Sequence, residues 1–414
     1  MAGQSHSWFA LLRPTQLLPP LLLFLAVFGP GTVEGIPQRS QQEQPPETFL
    51  ARLLAAQDSI QRMHMVDRFV QESLQREHPY TRDSLVFLWY RGPAERVAVP
   101  SDLNGWNPSA DTMQRVEKTD FFYLAVYARP SARFEYKLIV DSSWVLDPAN
   151  PRTIPGGFGL NSEIRMPEYL PPPEIEHRRN IPRGTLDTLT FRSATLDRSH
   201  PVYIYLPHDY DPSNQYPTLY VADGADYLSR AHMKNILDNL IAGGRIAGIV
   251  VVFLDPRTDP SRPETNMRMV DYGISEEFNI YLATELRDTL MRLYSLRPSP
   301  HNTGIMGASL GGLAATYAAW KRDDVFGLCG VQSPAYQWKN DTLLTMIAGS
   351  PRKQVLFHIN TGTLHDAEAR SRQMTAILSE KGYRFRYTEH PEGHNWGNWR
   401  ARIPDILTFF WGTR

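Results

Sequence analysis

Residues 301–319 place Ser309 at the centre of Gly307-Ala308-Ser309-Leu310-Gly311, between a stretch of strand character and a run of small residues with helical character. Small residues on both sides suit a serine whose backbone is held in a strained turn, because larger side chains there would collide with the preceding strand and following helix. The pattern predicts a tight strand–turn–helix that presents the Ser309 hydroxyl, and with it an α/β sheet. The chain holds 27 Gly, enough for a five-residue match to arise by chance, so the surrounding pattern has to decide.

Residues 1–35 contain Arg13, the apolar run 17–28 and a small-residue site at Val33-Glu34-Gly35. That order predicts a secretory signal and an exported chain, periplasmic or secreted. The run is short and broken by proline for a bilayer span, so no stable membrane insertion is expected after cleavage. Lys and Arg total 43 against 44 Asp and Glu, which gives no global attraction to nucleic acid. Cys329 is the only cysteine; it excludes an intrachain disulfide and reads as a buried thiol in an apolar run.

Residues 36–46 are rich in Gln and Pro, and 47–76 carry apolar positions at helical spacing, so 36–80 is expected to be a disordered then helical lead-in. Over 81–167 the pattern changes to short alternating runs at 85–90, 97–99, 121–126 and 134–140, separated by turns, which predicts a small β-sandwich. A Pro-rich linker is expected at 168–184. Over 185–414 strand-like runs at 201–206, 218–222, 249–254, 304–307 and 354–360 alternate with helical ones at 230–242 and 276–294. That alternation predicts a mostly parallel sheet with helices on both faces.

A serine hydroxyl needs a base within hydrogen-bond reach and an acid to orient that base. His394 lies in a Gly-flanked loop just before the terminal apolar helix and is preferred over His390 and His358, which follow or sit inside strand-like runs. Beyond the strand at 354–360, Asp366 and Glu368 are the candidate acids, with Asp366 favoured for its shorter side chain; Asp366 could instead cap the following helix. The oxyanion donors would be the backbone amides of Leu310 and of Gly224, in the Asp223-Gly224 loop after an early strand, although an Asp-Gly pair there is also a common turn. His390 and His394 have His-x-x-x-His spacing, but Pro391 and Gly393 break the helix that zinc ligation would need, so no metal or other cofactor is expected.

Tyr216-Pro-Thr-Leu-Tyr-Val-Ala-Asp-Gly, 236–242, Arg262-Pro-Glu-Thr-Asn, Glu285-Leu, Gly307-Ala-Ser-Leu-Gly-Gly-Leu and Glu392-Gly-His together resemble the enterochelin esterase and esterase D-like branch of the α/β-hydrolases. The resemblance covers roughly residues 180–414. It implies a serine carboxylic ester hydrolase with Ser309 as nucleophile and His394 as general base. The segments Asp102-Leu-Asn-Gly-Trp-Asn-Pro, 134–141, Trp144, Asp147-Pro-Ala-Asn-Pro and Gly159-Leu-Asn-Ser resemble the immunoglobulin-like early-set sandwich of glycogen-binding modules and of the enterochelin esterase front domain. It implies carbohydrate contact through Trp106, Trp144, Lys137 and Asn161, against core packing of the same rings. Two substrate classes stay open. A siderophore trilactone would call on Arg262, or on Arg257 or Arg268, whereas a feruloyl or acetyl ester on a glycan would call on Trp396, or on Trp338 or Trp399, to shape an aromatic slot. A third possibility is a binding protein that keeps the fold without catalysis.

Overall fold

The computed structural model describes residues 45–75 and 78–413, so the signal expected at 1–35 and the lead-in up to residue 44 lie outside the described residues. The largest sheet has eight strands: β1 (Thr185–Ser193), β2 (Arg198–Leu206), β3 (Thr218–Val221), β4 (Val250–Leu254), β5 (Thr303–Ala308), β6 (Leu328–Gln332), β7 (Leu356–Gly362) and β8 (Phe385–His390). Their spatial order is 1-2-4-3-5-6-7-8. β1 and β2 pair antiparallel, β2 meets β4 antiparallel, and from β4 across to β8 every pairing is parallel. The sheet is therefore mixed rather than wholly parallel. Its central strands β3 to β6 are buried at every residue, which is why they read as continuous apolar runs. The edge strands β1 (TLDTLTFRS) and β8 (FRYTEH) are polar on the exposed side and carry little apolar signal.

Helices pack on both faces of this sheet. One face buries Tyr272, Leu282, Leu286, Leu313 and Met374 against the sheet residues Val252 and Ile305. The other buries Ile236, Leu240, Ile403 and Leu407 against Leu219, Val251 and Met306. Cys329 lies buried on β6. The stretch expected as one helix at 276–294 is α-helical over Glu276–Ile280, π-helical over Tyr281–Leu286 and α-helical again over Arg287–Leu293.

In the front region, which precedes residue 168, three small antiparallel sheets replace a single pattern of alternating runs. Val86, Leu88, Phe122, Phe134, Leu138 and Ile164 from all three share one core. The helices Pro46–Ala55 and Ser59–Leu74 bury Phe49, Leu53 and Val66 against Phe87, Trp89 and Phe121. These two helices thus cover a face of the front region's first sheet. The run 134–140, expected as one strand, divides at Lys137: Arg133–Tyr136 pairs with Gly159–Arg165, while Leu138–Val140 pairs with Val97–Ala98.

The front region meets the loop before the terminal helix Trp396–Trp411 through buried charge. The Arg133 side chain has no exposed surface; it donates to Glu135 at 2.8 Å, Glu163 at 2.6 Å and the Asn395 side-chain oxygen at 2.7 Å. Asp102 accepts from Asn395 Nδ2 at 2.7 Å, from the Glu135 amide at 2.8 Å and from Trp106 Nε1 at 2.8 Å. Two glycines make this approach possible. A Cβ on Gly393 would lie 2.2 Å from the Asp102 carboxyl carbon, and one on Gly397 would lie 2.0 Å from the Arg133 guanidinium carbon. The Pro-rich connector is held in a similar way: Asp238 accepts from Arg183 and the Gly184 amide, and Asn239 donates to the carbonyls of Glu174 and Glu176.

Removing the cation at the centre of this junction strands buried carboxylates, a loss that costs about 3–5 kcal/mol. Arg133→Met is expected to lower stability by that amount, seen as a reduced urea midpoint. Burial and the neighbouring Glu135 charge push the Asp102 carboxyl up to about 7, against the opposing bonds from Glu135 and Trp106 and the Arg133 charge. An unfolded aspartate ionises near 3.8, so between about 4 and 7 the folded chain binds more protons than the unfolded one, and stability contributed by Asp102 falls as pH rises. Urea titrations across that window should show wild type losing ground to Asp102→Asn; a constant difference would contradict the shift.

Candidate active site

β5 ends at Ala308, and Ser309 then adopts φ 57° and ψ −121° before the helix Leu310–Lys321 begins. A positive φ is costly for a side chain with a Cβ, and surrounding contacts must hold it there. The Ser309 amide donates to the Gln332 carbonyl on β6 at 2.9 Å. A Cβ on Gly307 would come within 2.5 Å of the Gly311 carbonyl, and one on Gly311 within 3.0 Å of Asp223 Oδ2. The flanking glycines are therefore required by close packing of strand, turn and helix.

His394, on the loop after β8, places Nε2 at 2.9 Å from Ser309 Oγ and Nδ1 at 2.6 Å from Asp366 Oδ1. Asp366 follows β7, and its side chain has no exposed surface. Its other oxygen accepts from Ser333 Oγ and the Gly362 amide, both at 2.6 Å. Burial raises the Asp366 pKa, but the bond and charge of His394, with the donors Ser333 and Gly362, outweigh it and hold the carboxyl below its ordinary range. Asp366 does not cap the next helix, which spans Glu368–Glu380 and has Ala367 at its N-cap. Glu368 begins that helix, and its buried Oε2 has no described partner. His390 bonds Thr388; burial first, then Arg402, pushes its pKa down to about 3. His358 is buried within β7, and both its ring nitrogens lack a described partner.

The support behind His394 had no sequence signal. Trp399 sets its ring edge-on to His394 at 5.0 Å and donates to Ser333 Oγ at 3.0 Å. Gln332 donates to the Trp399 carbonyl and accepts from Tyr227. These residues sit on three separate elements, so only the fold brings them together.

Ser309 and His394 open into a cleft of about 900 Å³. Nine of its eighteen lining residues come from the front region, among them Trp106, Lys137, Trp144, Phe158 and Asn161. The four residues named as carbohydrate-contact candidates thus line the same cleft as Ser309. Trp396 also lines the cleft, edge-on to Tyr227, whereas Trp338 donates to the Gly273 carbonyl away from it.

Arg262 requires correction as a substrate-binding candidate: it is exposed, pairs with Glu264 and does not line the cleft. Arg268 lines it instead. It pairs with Asp223 through two nitrogens at 2.8 and 2.9 Å. Leu310 and Gly224 each begin a helix, where first-turn amides have no intrahelical acceptor. Gly224 is buried, and a Cβ there would strike the Phe253 backbone at 2.5 Å, so its glycine is required by packing on β4.

The Esterase family model matches residues 193–410. Over 167 residues the chain is 26% identical to an endo-1,4-beta-xylanase/feruloyl esterase of Xylanibacter ruminicola, covering 38% of this chain and 22% of that protein. Over 160 residues it is 28% identical to an iron(III) enterobactin esterase of Dickeya dadantii, covering 39% and 35%. The chain thus matches well under half the length of each of these two relatives. The crystal structure of the enterobactin esterase from Shigella flexneri, obtained in the presence of enterobactin, superposes with a TM-score of 0.68 at 20% identity, covering 80% of this chain and 94% of that one. At that identity the likeness is one of fold, an α/β-hydrolase-like mixed sheet with helices, and its coverage exceeds the span of the family match. With a family model spanning more than half its length, this chain belongs to the Esterase family.

Proposed function

We propose that the protein hydrolyses carboxylic esters by acyl transfer to Ser309. The observation that carries this is the unbroken hydrogen-bonded line Ser309–His394–Asp366 at the base of an open cleft. His394 Nε2 takes the Ser309 proton as Oγ attacks the ester carbonyl, then gives that proton to the departing alcohol. In the second half His394 draws a proton from water, which attacks the acyl-enzyme and releases the acid. Asp366, held ionised by Ser333 and Gly362, fixes the His394 tautomer and stabilises its protonated form. The Leu310 and Gly224 amides, each at a helix start and with Asp223 lining the same cleft as Ser309, would meet the oxyanion; the Asp223 amide is already donated to Tyr272.

Some finer assignments are proposed with this activity. The three antiparallel sheets of the front region, which share one core, support an immunoglobulin-like early-set domain over 81–167. The apolar run at 17–28 supports export. A binding protein without catalysis would need no aligned base, and the 2.9 Å contact between His394 and Ser309 weighs against it.

With p-nitrophenyl acetate and butyrate, Ser309→Ala is expected to lower kcat by roughly five to six orders of magnitude. Asp366→Asn should lower it roughly 10⁴-fold through loss of the oriented base, with Ser309 still present. Wild-type turnover that survives Ser309→Ala would refute acyl transfer to this residue.

A further inference from the structure

The charged side chains that line the cleft are almost all committed to partners within the protein. Asp102 accepts from Trp106, Asn395 and the Glu135 amide. Glu135 is shared between Arg133 at 2.8 Å and Asn161 at 2.7 Å. Asn395 uses its oxygen for Arg133 and its nitrogen for Asp102. Arg268 is neutralised by Asp223, and Asp226 pairs with Arg230. Lys137 differs: it lines the cleft, and its ammonium has no partner among the described residues.

The apolar lining is just as uneven. Trp144 is 48% exposed and Phe158, at the tip of the hairpin formed by Thr153–Gly156 and Gly159–Arg165, is 101% exposed, yet both line the cleft. Arg230 donates to the Gly156 carbonyl and so ties this hairpin to the end of the helix Gly224–Ser229. Trp106 is fixed by its bond to Asp102. Exposed aromatic surface gathered in a concave site favours a ligand that covers it.

These two facts select among ligands. A sugar ring needs partners for several hydroxyls, and each left unpaired on burial costs about 1–3 kcal/mol; the committed network offers few. A polyanion needs several free cations, but only Lys137 is uncommitted, and Asp102, Glu135, Asp223 and Asp226 share the lining. What fits is a flat apolar ring with one negative or acceptor oxygen.

Building on the hydrolysis proposed at Ser309, we propose that Trp106, Trp144, Phe158 and Lys137 form a binding subsite of the cleft for a planar aromatic ring carrying a single anionic or acceptor oxygen. Esters of that class, rather than glycan-linked esters or polyanionic lactones, are then the preferred substrates. The front region supplies this specificity directly.

The test is calorimetric binding to the full chain carrying Ser309→Ala, so that binding is read without turnover. The probes are 2-naphthoate, cyclohexanecarboxylate, xylotriose, maltotriose and benzene-1,3,5-tricarboxylate. 2-Naphthoate should bind more tightly than the other four. Adding Lys137→Met should weaken it about tenfold, and adding Trp144→Ala or Phe158→Ala, both at exposed positions that leave the core intact, should weaken it several-fold. Absence of naphthoate binding, equal or tighter binding of a trisaccharide or the tricarboxylate, or an affinity unmoved by Lys137→Met and Phe158→Ala would overturn the subsite. Because none of these outcomes involves turnover, failure of the subsite leaves hydrolysis at Ser309 standing. Failure of the hydrolysis would appear separately, as wild-type turnover that survives Ser309→Ala.

Discussion

The buried pairing of Arg133 with Glu135, Glu163 and Asn395 is the constraint on which the rest of the site depends. A guanidinium with no exposed surface pays a large desolvation penalty, and only well-formed bonds on all sides compensate it. Those bonds reach from a front-region strand to the residue directly after His394. Asn395 then caps the terminal helix by accepting from the Asn398 amide at 3.0 Å. The loop that carries the base is consequently fixed from two directions, by the helix it starts and by the region that precedes the large sheet.

Asp102 extends the same coupling to the cleft wall. One oxygen holds the Trp106 ring, and the other holds Asn395 and the Glu135 amide. A ligand pressing on Trp106 therefore presses on a network that ends beside His394. Gly393 and Gly397 admit these front-region side chains where any Cβ would exclude them. The front region is thus a structural part of the cleft around Ser309, consistent with a likeness of fold that covers 80% of the chain.

Strain and support are balanced at the nucleophile. Ser309 sits at φ 57°, and the Gln332 carbonyl, the Gly307–Gly311 contact and the helix beyond hold it there. Asp366 is likewise held by Ser333 and Gly362 as well as by His394. Ser309 is oriented by a carbonyl of the neighbouring strand β6 and Asp366 by Ser333 just beyond that strand, whereas His394 is set by Asp366 and by Trp399 of the terminal helix.

Local sequence determined the elements with the strongest local signals. The buried central strands read as apolar runs because both faces are covered, and the Gly307-Ala308-Ser309-Leu310-Gly311 turn was legible because its close packing demands small residues at fixed spacing. Asp366 and His394 were legible as candidates from their places, one in the loop beyond an apolar strand-like run and the other in a Gly-flanked loop before the terminal apolar helix. Tertiary structure decided the rest. Polar edge strands β1 and β8 gave little apolar signal, and the break at Lys137 follows from two different pairing partners on either side of it. Arg262 and Arg268 look alike in sequence, yet one reaches solvent and Glu264 while the other reaches Asp223 in the cleft. Trp106, Lys137, Trp144 and Asn161 were visible as a set, but that they share a cleft with Ser309 depends on contacts nearly 300 residues apart, such as Asp102 with Asn395, which no local pattern encodes.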